Sequence, residues 1–511
     1  MSGKISQDTT VPYKAGIFIP GVDMTLGVGN QNVKLLASSF IGASFVTPQQ
    51  FGAVGDGVTD DTTALQGAIN AGIAGQIPIY IPAGRYLISA ALVINRGCHI
   101  FGAFVEPEIT MFSGTPNQGG NGTWLVLDGT HLVSAFFINP VGTPSASNQA
   151  LGVEIDHIAI IHNQPVPGGG WTPRLYPPAI DIPAGSDVNI HDVFLMNPTV
   201  AIRAAGQSAG RLTIERVSGQ PLTQGIVFDN QTDTVVVRDI HFWTYWSLDS
   251  NVLAYQKANG VGMQLGRIDN PVIDNFFCLW YWVGTQISRT ANGDATAVRF
   301  TNCDWDLCGN PFVINDATGG HTVYMSGCLL GGPGDTTSTS GLTITGGGGG
   351  SQVYLSTCTF TGFGNHCVSV ESGASNHVRL AACQLFQWDI RNVGGYCLQS
   401  SHTNTIRADA ATLTFSLNSN THILAGGQCI KEPAMWLTHG VMLAAGTSVV
   451  LPHLLDLTPD MMLVTPNGGP IGGATRQWWA TADASNVTVH VDVAPGSDVA
   501  FSVLLGLDVY R

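Results

Sequence analysis

Two sets of carboxylates in this chain are spaced for acid–base chemistry. Glu215 and Asp274 occupy equivalent positions of a recurring phrase, with Arg238 at the same position between them. If copies of the phrase stack as parallel strands, Glu215 and Asp274 stand on the order of 10 Å apart between backbones. That approaches the separation at which one carboxyl protonates a glycosidic oxygen while another activates a water. Arg238 could hold one carboxylate ionised or grip an acidic sugar. The competing reading is a solvated charge ladder in which Glu215 and Arg238 simply pair. Asp304 and Asp306 form the second set; two residues apart on a strand, they share a face. A polar rim is the alternative there. Aromatic residues crowd the same band: Trp243, Tyr245 and Trp246, then Trp280 and Trp282, then Trp305. Such rings stack on the apolar faces of sugars, or else on one another in an interior. Arg238, His241 and Tyr245 also offer the basic groups that a β-elimination needs.

The phrase that must position these residues reads apolar, any, apolar, any, any, apolar-or-Cys. It begins at Val153, Val188, Leu212, Val235, Pro271, Val298, Val323, Val353 and Val378. Successive starts lie 23 to 36 residues apart (212 to 235, 235 to 271), and the last four copies end on Cys303, Cys328, Cys358 and Cys383. Such a repeat, rich in Val, Ile and Gly and without helical periodicity, indicates stacked β coils that bury their apolar sides on one another. Positions one, three and six should face inward, with the cysteines as buried thiols. Position four should face outward; it reads Asp156, His191, Glu215, Arg238, Asp274, Thr301, Ser326, Ser356 and Ala381. Position five should turn a corner; it reads His157, Asp192, Arg216, Asp239, Asn275 and Asn302. Insertions near 163–178 and 244–261 bracket the coils that hold Glu215 and Arg238, and mark that band as the working side. The glycine run from Gly346 to Gly350 is a corner loop; no GK[ST] follows to make it a phosphate loop.

Upstream, Phe51-Gly52-Ala53-Val54-Gly55-Asp56-Gly57-Val58-Thr59-Asp60-Asp61-Thr62 leads into a helical face of Leu65, Ala68 and Ile69. Asp60 or Asp61 is placed to cap that helix. A strand phrase, Ile77-Pro78-Ile79-Tyr80-Ile81, then runs into the turn Pro82-Ala83-Gly84. This stretch closely resembles the opening of pectate-lyase-like right-handed parallel β-helix proteins, where it caps the solenoid. Phage tailspikes, glycoside hydrolases and lyases share that opening. Residues 1–46 are too few for a core and resemble the anchor segments that begin phage tail proteins. Beyond residue 404 the repeat stops, and period-two alternation predicts an antiparallel β-sandwich. That tract resembles the C-terminal domains of tail fibres and tailspikes, which trimerise and sometimes bind sugar. The expected organisation is all-β: a leader at 1–46, a cap and first coil at 47–110, a right-handed parallel β-helix at 111–404 and a C-terminal sandwich at 405–511.

Composition narrows the function classes. The 511 residues carry a net charge of −15, which disfavours nucleic acid and requires a local basic spot for any anionic ligand. Only 11% of residues are charged and Gly numbers 63, which argues against coiled coil and disorder. No apolar run reaches the roughly 20 residues of a membrane span, so no membrane insertion is expected. Residues Met1 to Gln7 show no signal-peptide core. The ten cysteines show no CxxC spacing, so neither a metal nor a cofactor is expected. The resemblance implies a homotrimer on a virion tail, joined to it through the leader. It implies binding and glycosidic hydrolysis of a bacterial surface polysaccharide, capsule or O-antigen. A polysaccharide lyase and a non-catalytic adhesin or virion structural protein are the alternatives, and an extracellular setting is the alternative location.

Overall fold

A computed structural model describes residues 45–106, 116–139, 150–206, 210–315, 319–334, 339–346, 350–371, 375–400, 404–409, 412–415, 424–425, 428–431, 435–453, 458–459, 461–467 and 477–506. The expected leader lies outside the described residues, Phe45 and Val46 excepted. The described chain winds into an all-β solenoid. Each coil crosses a first face and a second face, which belong to one 22-stranded sheet, and then a third face, a 12-stranded sheet. Among the described residues every pairing in these two sheets is parallel, as between Ser186–Leu195 and Leu212–Gly219.

The register follows the repeat residue for residue. Asp156 pairs with His191, His191 with Glu215, Glu215 with Arg238, Arg238 with Asp274 and Asp274 with Thr301. The column continues through Ser326, Ser356 and Ala381. Positions one, three and six point inward: Val188, Ile190 and Val193 are buried, and so are their counterparts down to Cys383. They belong to one continuous apolar cluster that includes free thiols at Cys303, Cys328, Cys358 and Cys383.

Position five makes the corner between the first and second faces. His157, Asp192, Arg216, Asp239, Asn275 and Asn302 all hold left-handed backbone, with φ between 48° and 54°. L-residues adopt that conformation at a cost of about 1–2 kcal/mol, least for Asn and Asp. Thr357 and Ala382 adopt it too, so the stacking of the coils imposes the corner even where the side chain does not favour it.

The helix Thr62–Gly75 buries Leu65, Ala68 and Ile69 against the first coil. Asp61 stands at its N-cap, but its carboxylate does not bond the helix. It turns back and accepts the N–H groups of Val54 and Gly55 at 2.7 and 2.9 Å. Asp60 takes the expected role and accepts from the Thr62 N–H at 3.0 Å. The two insertions pack together outside the second face. Trp171 of the first lies 5.8 Å from Trp246 and 5.7 Å from Tyr255 of the second, over Trp124 and Phe194.

The parallel ladder runs past residue 404, through Thr405–Ala408 to Gln428–Lys431. Then come two three-stranded antiparallel sheets. One joins Met435–Met442, Val499–Gly506 and Met461–Asn467; the other joins Ser448–Pro452, Asn486–Val491 and Trp478–Ala482. Their buried residues, among them Val487, Val489, Phe501 and Val503, form a cluster separate from that of the solenoid.

Asp61 is a buried charge held by two backbone donors. Asp61→Ala should lower stability by about 3 kcal/mol, since hydrogen bonds to charged groups contribute ~1.5–3 kcal/mol each. A calorimetric melt checks this; an unchanged midpoint would mean that the two bonds contribute nothing net.

Candidate functional site

On the first face the upper coils carry a continuous charge ladder. Arg216 donates to both carboxylate oxygens of Asp192 at 2.7 Å and to Glu215 at 2.9 Å. The Arg216 hydrogen bonds hold the Asp192 carboxyl well below the usual range. Arg238 lies 3.5 Å from Glu215 and 3.8 Å from Asp274, so one guanidinium bridges the two carboxylates. Asn302 donates to Asp274 at 3.4 Å. The arrangement brings Glu215, Arg238 and Asp274 together, as paired charges on a solvated sheet face.

The second face is different. Its outward column runs Phe194, Ser218, His241, Phe277, Asp304, Leu329 in register, and Leu279 pairs with Asp306. Among the described residues neither Asp304 nor Asp306 joins an ion pair. One oxygen of Asp304 is shut off from solvent and has no hydrogen-bond partner. Burial, and then the neighbouring charge of Asp306, raise the Asp304 pKa to about 6. Burial also raises that of Asp306, against a hydrogen bond from the Leu307 backbone. A carboxyl that is desolvated and has no cation keeps its proton.

Two rungs above, on the order of 10 Å away between backbones, His241 stacks on Phe277 with ring centres 4.7 Å apart and planes at 13°. Its Nδ1 lies 2.7 Å from the Tyr245 hydroxyl. Burial lowers the His241 pKa, and burial raises that of Tyr245, so both are neutral near pH 7. Trp243 borders the pair, 6.0 Å from His241 and 5.5 Å from Tyr245. Phe277 and Leu279 form an apolar floor between this cluster and the two aspartates. Below lies a cavity of about 390 Å³ between the helix Ser250–Asn259 and the coil of Asp306. Ala254, Lys257, Trp282 and Leu307 line it. The Lys257 ammonium sits 4.8 Å over the Trp280 ring. Trp280 holds φ 63°, unusual for an aromatic residue, and donates its backbone N–H to the Asp306 carbonyl at 3.1 Å. Lys257 and Phe277 carried no sequence signal of their own; the insertion helix and the shared column place them.

Two of the aromatic candidates are not on this surface. Trp305 is 0% exposed and donates to the Thr285 hydroxyl at 2.8 Å, inside the solenoid. Strand alternation puts it opposite the two aspartates. Trp246 is 4% exposed, closed over by Trp171 in the insertion cluster. Trp243, Tyr245, Trp280 and Trp282 remain partly exposed. For a metal, His99, Glu154 and Asp156 bring ligand atoms within 4.8 Å of one another. His99 Nε2 and Asp156 Oδ2 stand 2.6 Å apart, a hydrogen-bond contact.

Residues 45–264 match the family described as rhamnogalacturonase A/epimerase, pectate lyase-like. A mannuronan C5-epimerase of Azotobacter vinelandii is 44% identical over 82 residues, which are 14% of this chain and 6% of the epimerase. A pre-neck appendage protein of Bacillus phage B103 is 37% identical over 67 residues, 13% of this chain and 7% of that protein. These stretches are a small part of either relative. Among solved structures, a mutant tailspike protein of E. coli bacteriophage HK620 superposes with a TM-score of 0.52. The superposition covers 92% of this chain and 94% of that one at 10% identity, a likeness of fold. The family match ends before Asp274, Asp304 and Asp306, so it assigns them no role.

The raised pKa of Asp304 has a defined sign. Between its ordinary value of 3.8 and about 6, the folded state holds a proton that the unfolded state has lost. Stability therefore falls as pH rises through that window and does not return above it. Asp304→Asn should raise the melting midpoint at pH 8 and leave it unchanged at pH 3.5, where both side chains are neutral. Equal effects at the two values would contradict the shift.

Proposed function

We propose that this chain, a pectate-lyase-like β-helix with tailspike architecture, binds and depolymerises a bacterial surface polysaccharide, capsule or O-antigen, on the second face. The observation that carries the reading is Asp304: a partly buried carboxyl whose pKa is raised to about 6, with no ion pair among the described residues, beside a second carboxylate. A mannuronan epimerase among the similar proteins accords with a glycan ligand. In this reading Asp304 donates its proton to the glycosidic oxygen as the bond to the anomeric carbon breaks. Asp306 takes a proton from the water whose oxygen forms the new bond. Their Cα atoms lie about 6.6 Å apart along the strand, and their side chains can straddle such a water. Phe277 and Leu279 give the sugar an apolar floor, and Trp243, Trp280 and Trp282 border it. Glu215 and Asp274, whose oxygens face Arg216 and Arg238, act in this reading as a structural ladder.

A second reading is β-elimination. The 2.7 Å contact between His241 and the Tyr245 hydroxyl favours it, because a neutral imidazole polarised by a phenol can remove a proton. The two reactions leave different products: elimination makes an unsaturated sugar that absorbs in the ultraviolet, and hydrolysis does not.

We also infer a homotrimer on a virion tail. Its support is an apolar surface on the C-terminal sheets: Val450, Met461, Leu463, Trp478 and Trp479 are all exposed, and a partner copy would cover them. Attachment through the leader belongs to the same reading.

Asp304→Asn and Asp306→Asn should each lower depolymerisation by at least about 10²-fold, while Glu215→Gln and Asp274→Asn stay within a few-fold of the parent. The rate should fall about tenfold per pH unit above pH 6 as the acid loses its proton. Reducing-end assays on capsular and O-antigen polysaccharides check both expectations. If polysaccharide binds and keeps its length, the protein is an adhesin. Light scattering should give three times the mass of one chain, and Met461→Asp with Leu463→Asp should reduce it; a parent monomer would end the trimer reading.

A further inference from the structure

We propose that the lower coils of the first face carry a second glycan site, an open groove for a carboxylate-bearing sugar strand gripped by Arg299 and Arg379. The phrase's second position forms an outward column in register: Val272, Arg299, Tyr324, Tyr354, Arg379, Arg407. Tyr324 and Tyr354 are 42% and 37% exposed and stack with ring centres 5.2 Å apart at 12°. The Arg299 guanidinium caps the stack, 6.0 Å from the Tyr324 ring centre. Beside this row of long side chains runs position four, here reduced to Thr301, Ser326, Ser356 and Ala381. Long residues beside short ones leave a trough of about 370 Å³.

The charges single this trough out. Higher on the same face Arg216 and Arg238 are taken by carboxylates. Among the described residues no carboxylate meets Arg299 or Arg379, and Arg299 donates to the Ala297 carbonyl. In a chain of net charge −15, these are two uncommitted cations on one stripe. Three rungs separate them, about 14 Å, the span of a short oligosaccharide rather than one sugar. A guanidinium fork pairs with a carboxylate through two parallel hydrogen bonds. The hydroxyls of Thr301, Ser326 and Ser356 face the same trough and can exchange hydrogen bonds with sugar hydroxyls. This site lies one corner away from Asp304, and its existence does not depend on catalysis there.

The test uses the full chain carrying Asp304→Asn, so that binding is read without cleavage. Calorimetric titration with a four-residue oligogalacturonate should show binding that weakens with salt, and maltotetraose, of equal length and neutral, should show none. Arg299→Ala with Arg379→Ala should weaken the acidic ligand about tenfold or more. Arg299→Gln with Arg379→Gln, which keeps stems against the tyrosines, should do the same. The proposal is overturned if either double variant binds as the parent does, or if the neutral sugar binds equally. It is also overturned if the substitutions change the solution mass, which would make the stripe an interface between copies.

Discussion

The structure depends on a corner that every rung must turn in the same way. A single left-handed residue at position five ends the first face and starts the second, from His157 down to Ala382. Because it recurs at one phase, residues either side of it line up into columns whose members are a constant rung apart. A rung that missed the turn would move its inward residues to the outside and break the apolar cluster above and below. The chain accepts the local backbone cost at Thr357 and Ala382 because the stacked strands on both sides leave no other path.

The corner also separates two electrostatic environments within a few residues of sequence. Before it, the side chains of Glu215 and Asp274 stand on an open sheet face and meet guanidinium groups from neighbouring rungs. After it, Asp304 is partly buried beside a second carboxylate, and among the described residues it joins no ion pair. The same functional group thus meets opposite surroundings: one pair faces guanidinium groups, while burial and a neighbouring carboxylate raise the pKa of Asp304. On the first face the carboxylate ladder ends below Asp274 for a different reason: the position-four residues there become small and neutral.

Much of this was legible in the sequence. The phase of the phrase placed the columns directly, and the register bears out the alignment of Glu215, Arg238 and Asp274 down to the rung. The pairing of Glu215 with Arg238 was open to the same logic. Trp305 could have been excluded from the second-face surface by alternation alone, since a residue between two outward aspartates must point inward. Trp246 could not, because its cover comes from Trp171, some 75 residues away in another insertion (171 to 246). The raised pKa of Asp304 was hidden too, because burial depends on tertiary packing that the repeat phase does not encode. The ladder runs on to Lys431 because its last rungs keep the backbone pattern after the Cys and Val signature fades.

The columnar layout sets the grain of any specificity this scaffold can hold. The distance from His241 to Asp304, or from Arg299 to Arg379, is a whole number of rungs. Gain or loss of a whole coil changes such a distance by one fixed increment while every corner, core position and hydrogen-bonded register elsewhere stays in phase. Ligand length is thus measured on a ruler with coarse, evenly spaced marks, and fine adjustment within one interval falls to the side chains that project from it.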